Sequence, residues 1–355
     1  MTILRKLATV LATLWGVATA VFFLFSVMPG DPAQMMLGQN ENSEELAIIR
    51  AKYGFDRPIF EQYLNYLNDL SPIGWHPNQS NFNGLDTGNY SHVALVRTQK
   101  NTLVLKWPYL RESYQKTDVG VGQIIADTLP NTAVLAVAAL FVALVTGLLL
   151  GILSAVRVNT WLDRLLQWVS TLGMSIPSFF SAILAAWIFG FLLQAYTGLN
   201  MTGSLYELDD MGVSYHIAWK NLILPALVLG IRPLAVVTQL MRNAILDEWN
   251  RDYVRTARAK GFSEIQILWR HVLKNALNPV VTALSGWFAS MLAGAVFVEY
   301  IFGWNGIGKE IVNALNVLDV PVLMGAVLTV SFLFIIINLI VDQIYIYLDP
   351  KIKST

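Results

Sequence analysis

The chain has 355 residues, 24 Lys+Arg against 24 Asp+Glu, 55% hydrophobic and only 14% charged residues, and no cysteine. Soluble domains carry about 25% charged residues, and the mean hydropathy of +0.51 points the same way, so a large soluble enzyme, a disordered chain and a disulfide-stapled module are poor fits. Thiol catalysis and thiolate metal sites are excluded, and the composition is that of an integral membrane protein.

A membrane-spanning helix takes about 20 mostly apolar residues. Residues 7–28 supply the first run, directly after Arg5 and Lys6. Ala18-Thr19-Ala20 resembles a cleavage site, but the run continues through Phe22, Phe23, Leu24 and Phe25, too long for a signal core, which predicts an uncleaved helix. Residues 129–156 carry no charge, nor does the interval 165–206, longer than one helix needs. Residues 221–241 are apolar apart from Arg232, and 280–298 and 322–341 complete a set of six predicted spans. Pro130, Pro279 and Pro321 fall near span starts, where a missing N–H is tolerated; Pro177, Pro225 and Pro233 fall inside spans and predict kinks. Lys and Arg in the short loops set the orientation. With the N-terminus inside, the cytosolic pieces hold 13 basic and 7 acidic residues, and the two short outer loops hold only Lys220 and Lys309 as basic residues. Both termini are therefore expected in the cytosol.

Residues 29–128 form an outer segment between the first two spans. Asn42 or Ser43 can cap a helix through Leu46, Ile49 and Tyr53, stopped by Gly54. Pro58 suits the first turn of a second helix with Ile59, Phe60, Tyr63, Leu64, Leu67 and Leu70 at helical spacing. From Ser71 to about Thr117 the chain reads as loop with short strands, either a contact surface for an external partner or a lid on the helix ends. His76 and His92 lack a second ligand at metal-binding spacing. Asn78-Gln79-Ser80 and Asn89-Tyr90-Ser91 fit the glycosylation triplet, a common chance match.

The loop over 242–278 carries the sharpest signal. Residues 251–261 read as a short helix with a glycine stop, and Ala257 and Gly261, four apart, offer a small-residue patch for close approach of another surface. Ser263 and Gln266 form a capping box for a second helix, with Ile265, Leu268, Trp269 and Val272 as its apolar face. Six basic and two acidic residues lie between Arg251 and Lys274. A DNA-reading helix pair is disfavoured by tethering to membrane spans on both sides, and no nucleic acid is expected. Lying on anionic lipid headgroups and docking into a groove of a cytosolic partner remain as readings of the residues.

The segment Tyr253-Val254-Arg255-Thr256-Ala257-Arg258-Ala259-Lys260-Gly261 resembles the cytoplasmic loop signature of binding-protein-dependent ABC importer permeases, in the dipeptide/oligopeptide/nickel permease branch, first-subunit type. The likeness extends to Met28-Pro29-Gly30-Asp31-Pro32, Tyr53-Gly54-Phe55-Asp56-Arg57-Pro58, Leu129-Pro130-Asn131-Thr132, Ser175-Ile176-Pro177-Ser178-Phe179, Val298-Glu299-Tyr300-Ile301-Phe302-Gly303, Asn338-Leu339-Ile340-Val341-Asp342 and Asp349-Pro350-Lys351-Ile352. The resemblance implies an all-α type I permease fold of six transmembrane helices with a mixed extracytoplasmic insertion after the first, and a permease core over 129–355. It implies a coupling helix seated in a separate ATPase, with Thr256, Ala257 and Gly261 at the contact and Arg255, Arg258 and Lys260 around it. Arg255 stands where many ABC importers have Glu, although this branch commonly has a basic residue there. Residues 72–105 look like an insertion, leaving 109–113 loosely matched.

Gly303-Trp304-Asn305-Gly306-Ile307-Gly308-Lys309-Glu310 comes within one residue of a phosphate loop, but Glu310 stands where Ser or Thr should hold Mg²⁺. The segment reads instead as a glycine-rich outer turn, and the resemblance makes Glu299, Gly303, Gly306 and Gly308 gating candidates. Arg232 is the one charge inside an apolar span. It can satisfy carbonyls freed by the neighbouring prolines, contact a partner permease, or line the pathway and meet a substrate carboxylate. Asp342 reads as ordering a helix end.

The expected function is the permease subunit of an ATP-driven importer of short peptides, or of nickel complexes or other small solutes. The resemblance implies a bacterial-type inner membrane as its location, and as partners a second homologous permease, two cytosolic ATPases that hold ATP and Mg²⁺, an extracytoplasmic solute-binding protein and membrane lipid. No catalytic residue, metal or cofactor is expected in this chain. An ion-coupled secondary transporter would show half-repeats and intramembrane acids, and a receptor using the outer segment as sensor would leave five spans unexplained.

Overall fold

The structure is a computed structural model in which residues 3–26, 31–37, 43–78, 92–209 and 211–348 are described. The chain divides into two compact units, residues 1–128 with 310–332, and residues 129–309 with 333–355. Both glycosylation-like triplets, the Met28-Pro29-Gly30 part of one motif and the Asp349-Pro350-Lys351-Ile352 motif lie wholly or partly outside the described residues.

Among the described residues, four helices are long and apolar enough to cross a membrane: Ala8–Ser26, Val121–Val156, Lys220–Trp249 and Val320–Val341. A fifth candidate is the pair Trp161–Ser175 and Ser178–Leu192, bent by 107°. The sixth predicted span falls on Leu273–Gly294 and Val296–Phe302, interrupted at Ala295. Pro177 breaks the bent pair, and Pro225 and Pro233 sit inside Lys220–Trp249. Contrary to expectation, Pro130 and Pro279 lie well inside the helices Val121–Val156 and Leu273–Gly294. The first of these begins early because Val121, Ile124 and Ile125 bury one face of an added amphipathic turn.

In the first unit, Ala18, Val21 and Phe22 of the N-terminal helix pack with Tyr63, Tyr66, Met324 and Leu328. The helix Ser43–Tyr53 stops at Gly54, whose φ is +70°, a conformation open to glycine. In Ile59–Leu70 the buried residues are Tyr63, Tyr66 and Asp69, whereas Ile59, Phe60 and Leu64 are exposed. The predicted apolar stripe is too broad, because this helix packs by one narrow edge. The predicted strands form an antiparallel sheet of Ile73–Pro77, Asn101–Lys106 and His92–Arg97, with Asn101–Lys106 central. Thr102, Val104 and Lys106 are buried on one face of that strand. Lys106 Nζ donates to the Asp69 carbonyl at 2.9 Å, and burial lowers its pKa to about 8.

In the second unit, small residues let helices approach closely. A Cβ on Gly147 would fall 2.8 Å from Val237 Cβ, and one on Gly151 would fall 2.7 Å from Met241 Cβ. These contacts hold Val121–Val156 against Lys220–Trp249. One core gathers Leu135, Ala139, Leu224, Val228, Phe302 and Trp304. A second gathers Met241, Ile245, Val254, Ile267, Val272 and Val280 beneath the loop that follows Lys220–Trp249.

Candidate functional site

The helix Lys220–Trp249 runs directly into the loop helix Asp252–Ala259, with Asp252 in the first turn and Arg258 in the last, both suited to the helix dipole. Val254 and Ala257 are its buried face, at 0% and 5% exposure. Ala257 therefore packs into the chain's own core and is not part of the predicted open patch. Arg255, Thr256, Arg258, Ala259 and Lys260 are exposed around it. Gly261 has φ +83°, and a Cβ added there would meet nothing within 4 Å, so it supplies the turn and leaves free space beside it.

The capping box forms as predicted, Ser263 N–H donating to Gln266 Oε1 at 3.1 Å and Gln266 N–H to Ser263 Oγ at 3.4 Å. Glu264 accepts from Arg258 Nε at 2.7 Å and Nη2 at 3.1 Å, and from Trp249 Nε1 at 3.1 Å. These bonds, Arg258's foremost, hold its carboxyl below the usual carboxylate range. The charge of Arg258 is thus taken up within the loop, while among the described residues Arg255 reaches only Asp252, at 3.5 Å. A π-helical turn over Leu268–Val272 rotates the second helix. Ile267, Leu268 and Val272 turn inward, and Ile265 and Trp269, expected on the apolar face, are 72% and 63% exposed. The surface offered outward is basic with two large apolar groups beside it.

The glycine-rich segment is built around Glu299, which is fully buried. Its Oε2 accepts from the N–H groups of Gly308 at 2.7 Å and Lys309 at 3.2 Å, so it caps the helix Ile307–Asn316 from outside that helix. A Cβ on Gly306 would lie 2.5 Å from the Glu299 Cδ, and one on Gly308 would lie 2.5 Å from Val296 Cα. Gly303, at φ +69°, ends the helix Val296–Phe302. Two motifs distant in sequence meet here. Trp304 Nε1 donates to the Asn131 carbonyl at 3.0 Å, Asn131 Nδ2 to the Asn305 carbonyl at 2.8 Å, and Ile307 N–H to Thr132 Oγ1 at 2.9 Å. The group that occupies the N–H donors of this phosphate-loop-like sequence is the chain's own Glu299 side chain. Lys309 Nζ is engaged by Asn305 Oδ1 at 2.7 Å and the Gly303 carbonyl at 3.1 Å.

Arg232 lies beside the break at Ile176 and Pro177, and its Nη2 donates to the Ile176 carbonyl at 3.4 Å. It also lines a cavity of about 90 Å³. A cluster that sequence reasoning missed lies further along the same helix. Asp163, 3% exposed, takes a bidentate pair of bonds from Arg242, Nε at 2.7 Å and Nη2 at 2.8 Å, a third from Asn159 N–H at 2.9 Å and a fourth from Ser154. Three helical segments are tied together by one carboxylate. The only sequence signal is an acid in the first turn after Thr160, which reads equally well as an ordinary helix start. In the first unit a cavity of about 500 Å³ includes Asp31, Arg50 and Arg111 in its wall; its two arginines are already paired with Asp31 and Asp69.

Residues 147–354 match the family described as binding-protein-dependent transport system inner membrane component, and residues 1–75 match the N-terminal domain of such membrane components. The chain belongs to this family of transport permeases. It is 31% identical to the dipeptide transport system permease protein DppB of Alkalihalophilus pseudofirmus, covering 99% of this chain and 98% of that protein. It is 32% identical to the di/tripeptide transport system permease protein DppB of Pseudomonas aeruginosa and 30% identical to the glutathione transport system permease protein GsiC of Shigella flexneri, each over 99% of this chain and 98% of theirs. A solved structure of the MetNI methionine ABC transporter, facing inward, contains a chain that superposes with TM-score 0.50 at 16% identity, covering 63% of this chain and 95% of that one. The fold is that of a type I ABC importer permease. This binding-protein-dependent permease is a membrane subunit of an ATP-driven importer, working with other components of an ABC transporter in the inner membrane.

Proposed function

We propose that this permease carries short peptides, delivered by an extracytoplasmic binding protein, through a pathway formed with a second homologous permease and driven by two cytosolic ATPase subunits. The names of relatives across nearly the whole chain support the cargo class. The observation that carries the coupling assignment is the exposed basic face Arg255, Thr256 and Lys260, beside the open space at Gly261, on a helix anchored by buried Val254 and Ala257. Ile265 and Trp269 add apolar area at its edge, as an amphipathic docking surface needs. Its place at the end of Lys220–Trp249 puts it where motion of an ATPase would act on a membrane helix. Closure of the ATPases on ATP favours one of two permease states only if they contact this face differently in each.

With both termini in the cytosol this face lies on the ATPase side, and the segment built on Glu299, Gly303, Gly306 and Gly308 lies on the outer side. ATP and Mg²⁺ belong to the ATPase subunits. The glycine-rich segment here is unsuited to nucleotide, since the N–H groups of Gly308 and Lys309 already bind Glu299. Co-purification from membranes expressing all subunits tests the assignment. The double variant R255E/K260E is expected to lose about 90% of the bound ATPase while remaining folded, since reversing two rim charges places like against like. An unchanged yield of ATPase on the variant refutes the coupling face.

A further inference from the structure

The cavity beside Arg232 has a one-sided chemistry. Its polar side chains are Ser178, Ser181, Arg232, Trp287 and Ser290, and no acidic side chain lines it among the described residues. Each of these brings an N–H or O–H donor. Hydroxyls elsewhere on the same helical segments turn back onto the carbonyl four residues earlier: Thr171 to Gln167, Ser175 to Thr171 and Thr238 to Leu234. The hydroxyls of Ser178, Ser181 and Ser290 and the Trp287 indole N–H make no such bond among the described residues. The helix Ser178–Ala185 starts behind Pro177 with no side-chain cap, and its first turn, which carries the positive end of its dipole, lines the cavity through Ser178 and Ser181.

Arg232 itself is poorly served. A guanidinium has five N–H donors, and its one acceptor among the described residues, the Ile176 carbonyl at 3.4 Å, is well beyond the usual ~2.9–3.0 Å. No carboxylate pairs with it among the described residues. Arg232 is exposed in this chain, so its remaining donors are open to an incoming acceptor, and an ionisable residue within a span is a functional site by default. At about 90 Å³ the cavity is far below the ~300–1,000 Å³ of a whole small-molecule site, and suits one functional group. We propose that Arg232, the three serines, Trp287 and the uncapped start of Ser178–Ala185 receive a terminal carboxylate of the solute as it passes. The inference rests on the peptide-importer reading above.

The test uses the complete transporter in liposomes with its binding protein and ATPases, and radiolabelled trialanine as probe. Arg232→Gln is expected to lower ATP-driven trialanine uptake about tenfold or more, while Arg232→Lys, which keeps the charge, stays within about threefold of wild type. Stimulation of ATP hydrolysis by the loaded binding protein is expected to stay within about twofold in both variants, which a merely structural role would not allow. Uptake by Arg232→Gln at the wild-type rate overturns the proposal, as does a parallel loss of uptake and ATPase stimulation. If the defect vanishes in vesicles without anionic lipid, the site holds a lipid phosphate and the cargo assignment falls. No trialanine uptake by the wild-type complex overturns the peptide reading and this inference together; wild-type uptake that Arg232→Gln leaves intact overturns this inference alone.

Discussion

Glu299 shows how a single side chain can account for several others. A fully buried carboxyl group is costly unless hydrogen bonds compensate it, and here the N–H groups of Gly308 and Lys309 compensate one oxygen, Oε2, while Oε1 has no partner among the described residues. Those bonds require the backbone to pass over the carboxylate, which is why residue 306 has no room for a side chain. Gly306→Ala is expected to destabilise the protein by about 1–3 kcal/mol, the usual penalty for overpacking. Gly286→Ala is the control, since a Cβ there meets nothing within 4 Å, and alanine in an exposed helical position is neutral or mildly stabilising. Thermal unfolding in detergent, followed by size-exclusion chromatography, distinguishes the two; equal midpoints would refute the carboxylate cage. The glycines are legible in the sequence as a glycine-rich turn, and Glu299 as part of a motif. Their mutual dependence is not, because the eight or nine residues of intervening chain can be folded in many ways and only the observed turn brings the N–H groups of Gly308 and Lys309 onto the acid.

Among the elements, helix starts and stops are largely readable and helix faces are less so. Gly54, Gly261 and the Ser263–Gln266 box act where local chemistry places them, since capping depends on neighbours only a few residues away. The inward face of the second loop helix differs from the expected one by a step. Ideal spacing puts Ile265 and Trp269 inside, but the π-turn at Leu268–Val272 adds a residue to the turn and brings Ile267 inward instead. Long-range pairs are invisible for a related reason, as Asp163 and Arg242 are far apart in sequence and each looks like a loop-flanking charge. Their bond joins the start of Trp161–Ser175 to Lys220–Trp249, and Ser154 adds the end of Val121–Val156. Asp163→Asn leaves Arg242 partly buried without its counter-charge, and is expected to cost about 3–5 kcal/mol. Adding Arg242→Leu removes the orphaned charge and is expected to recover most of that loss. A thermal midpoint unchanged in Asp163→Asn, or unimproved in the double variant, would count against this clamp.

For the whole molecule the charge balance of zero conceals a separation. With both termini inside, the cytosolic pieces hold 13 basic and 7 acidic residues, the long outer segment 8 and 11, and the short outer loops 2 and 6. On the proposed orientation, Lys260 is expected in the cytosol and Lys100 outside it. Because the chain has no cysteine, single cysteines report position without background. Lys260→Cys is expected to react with a membrane-impermeant maleimide only in inside-out vesicles, and Lys100→Cys, at an exposed position beside the sheet, only in intact spheroplasts. Labelling of both from the same side would refute the topology.

The sequence by itself determined that this is a membrane protein, that residues 29–128 interrupt its apolar runs after the first, and that the loop around 251–261 is a basic and capped feature. These follow from composition, run length and local capping, all of which act over short stretches of chain. Only the tertiary structure decided that Ala257 is core, that Glu299 occupies the N–H groups of a phosphate-loop-like segment, and that Asp163 and Arg242 pair. It also left Arg232 among donors with no acid beside it among the described residues. Such matters depend on which distant segments a fold brings within hydrogen-bond distance, and no local spacing encodes that.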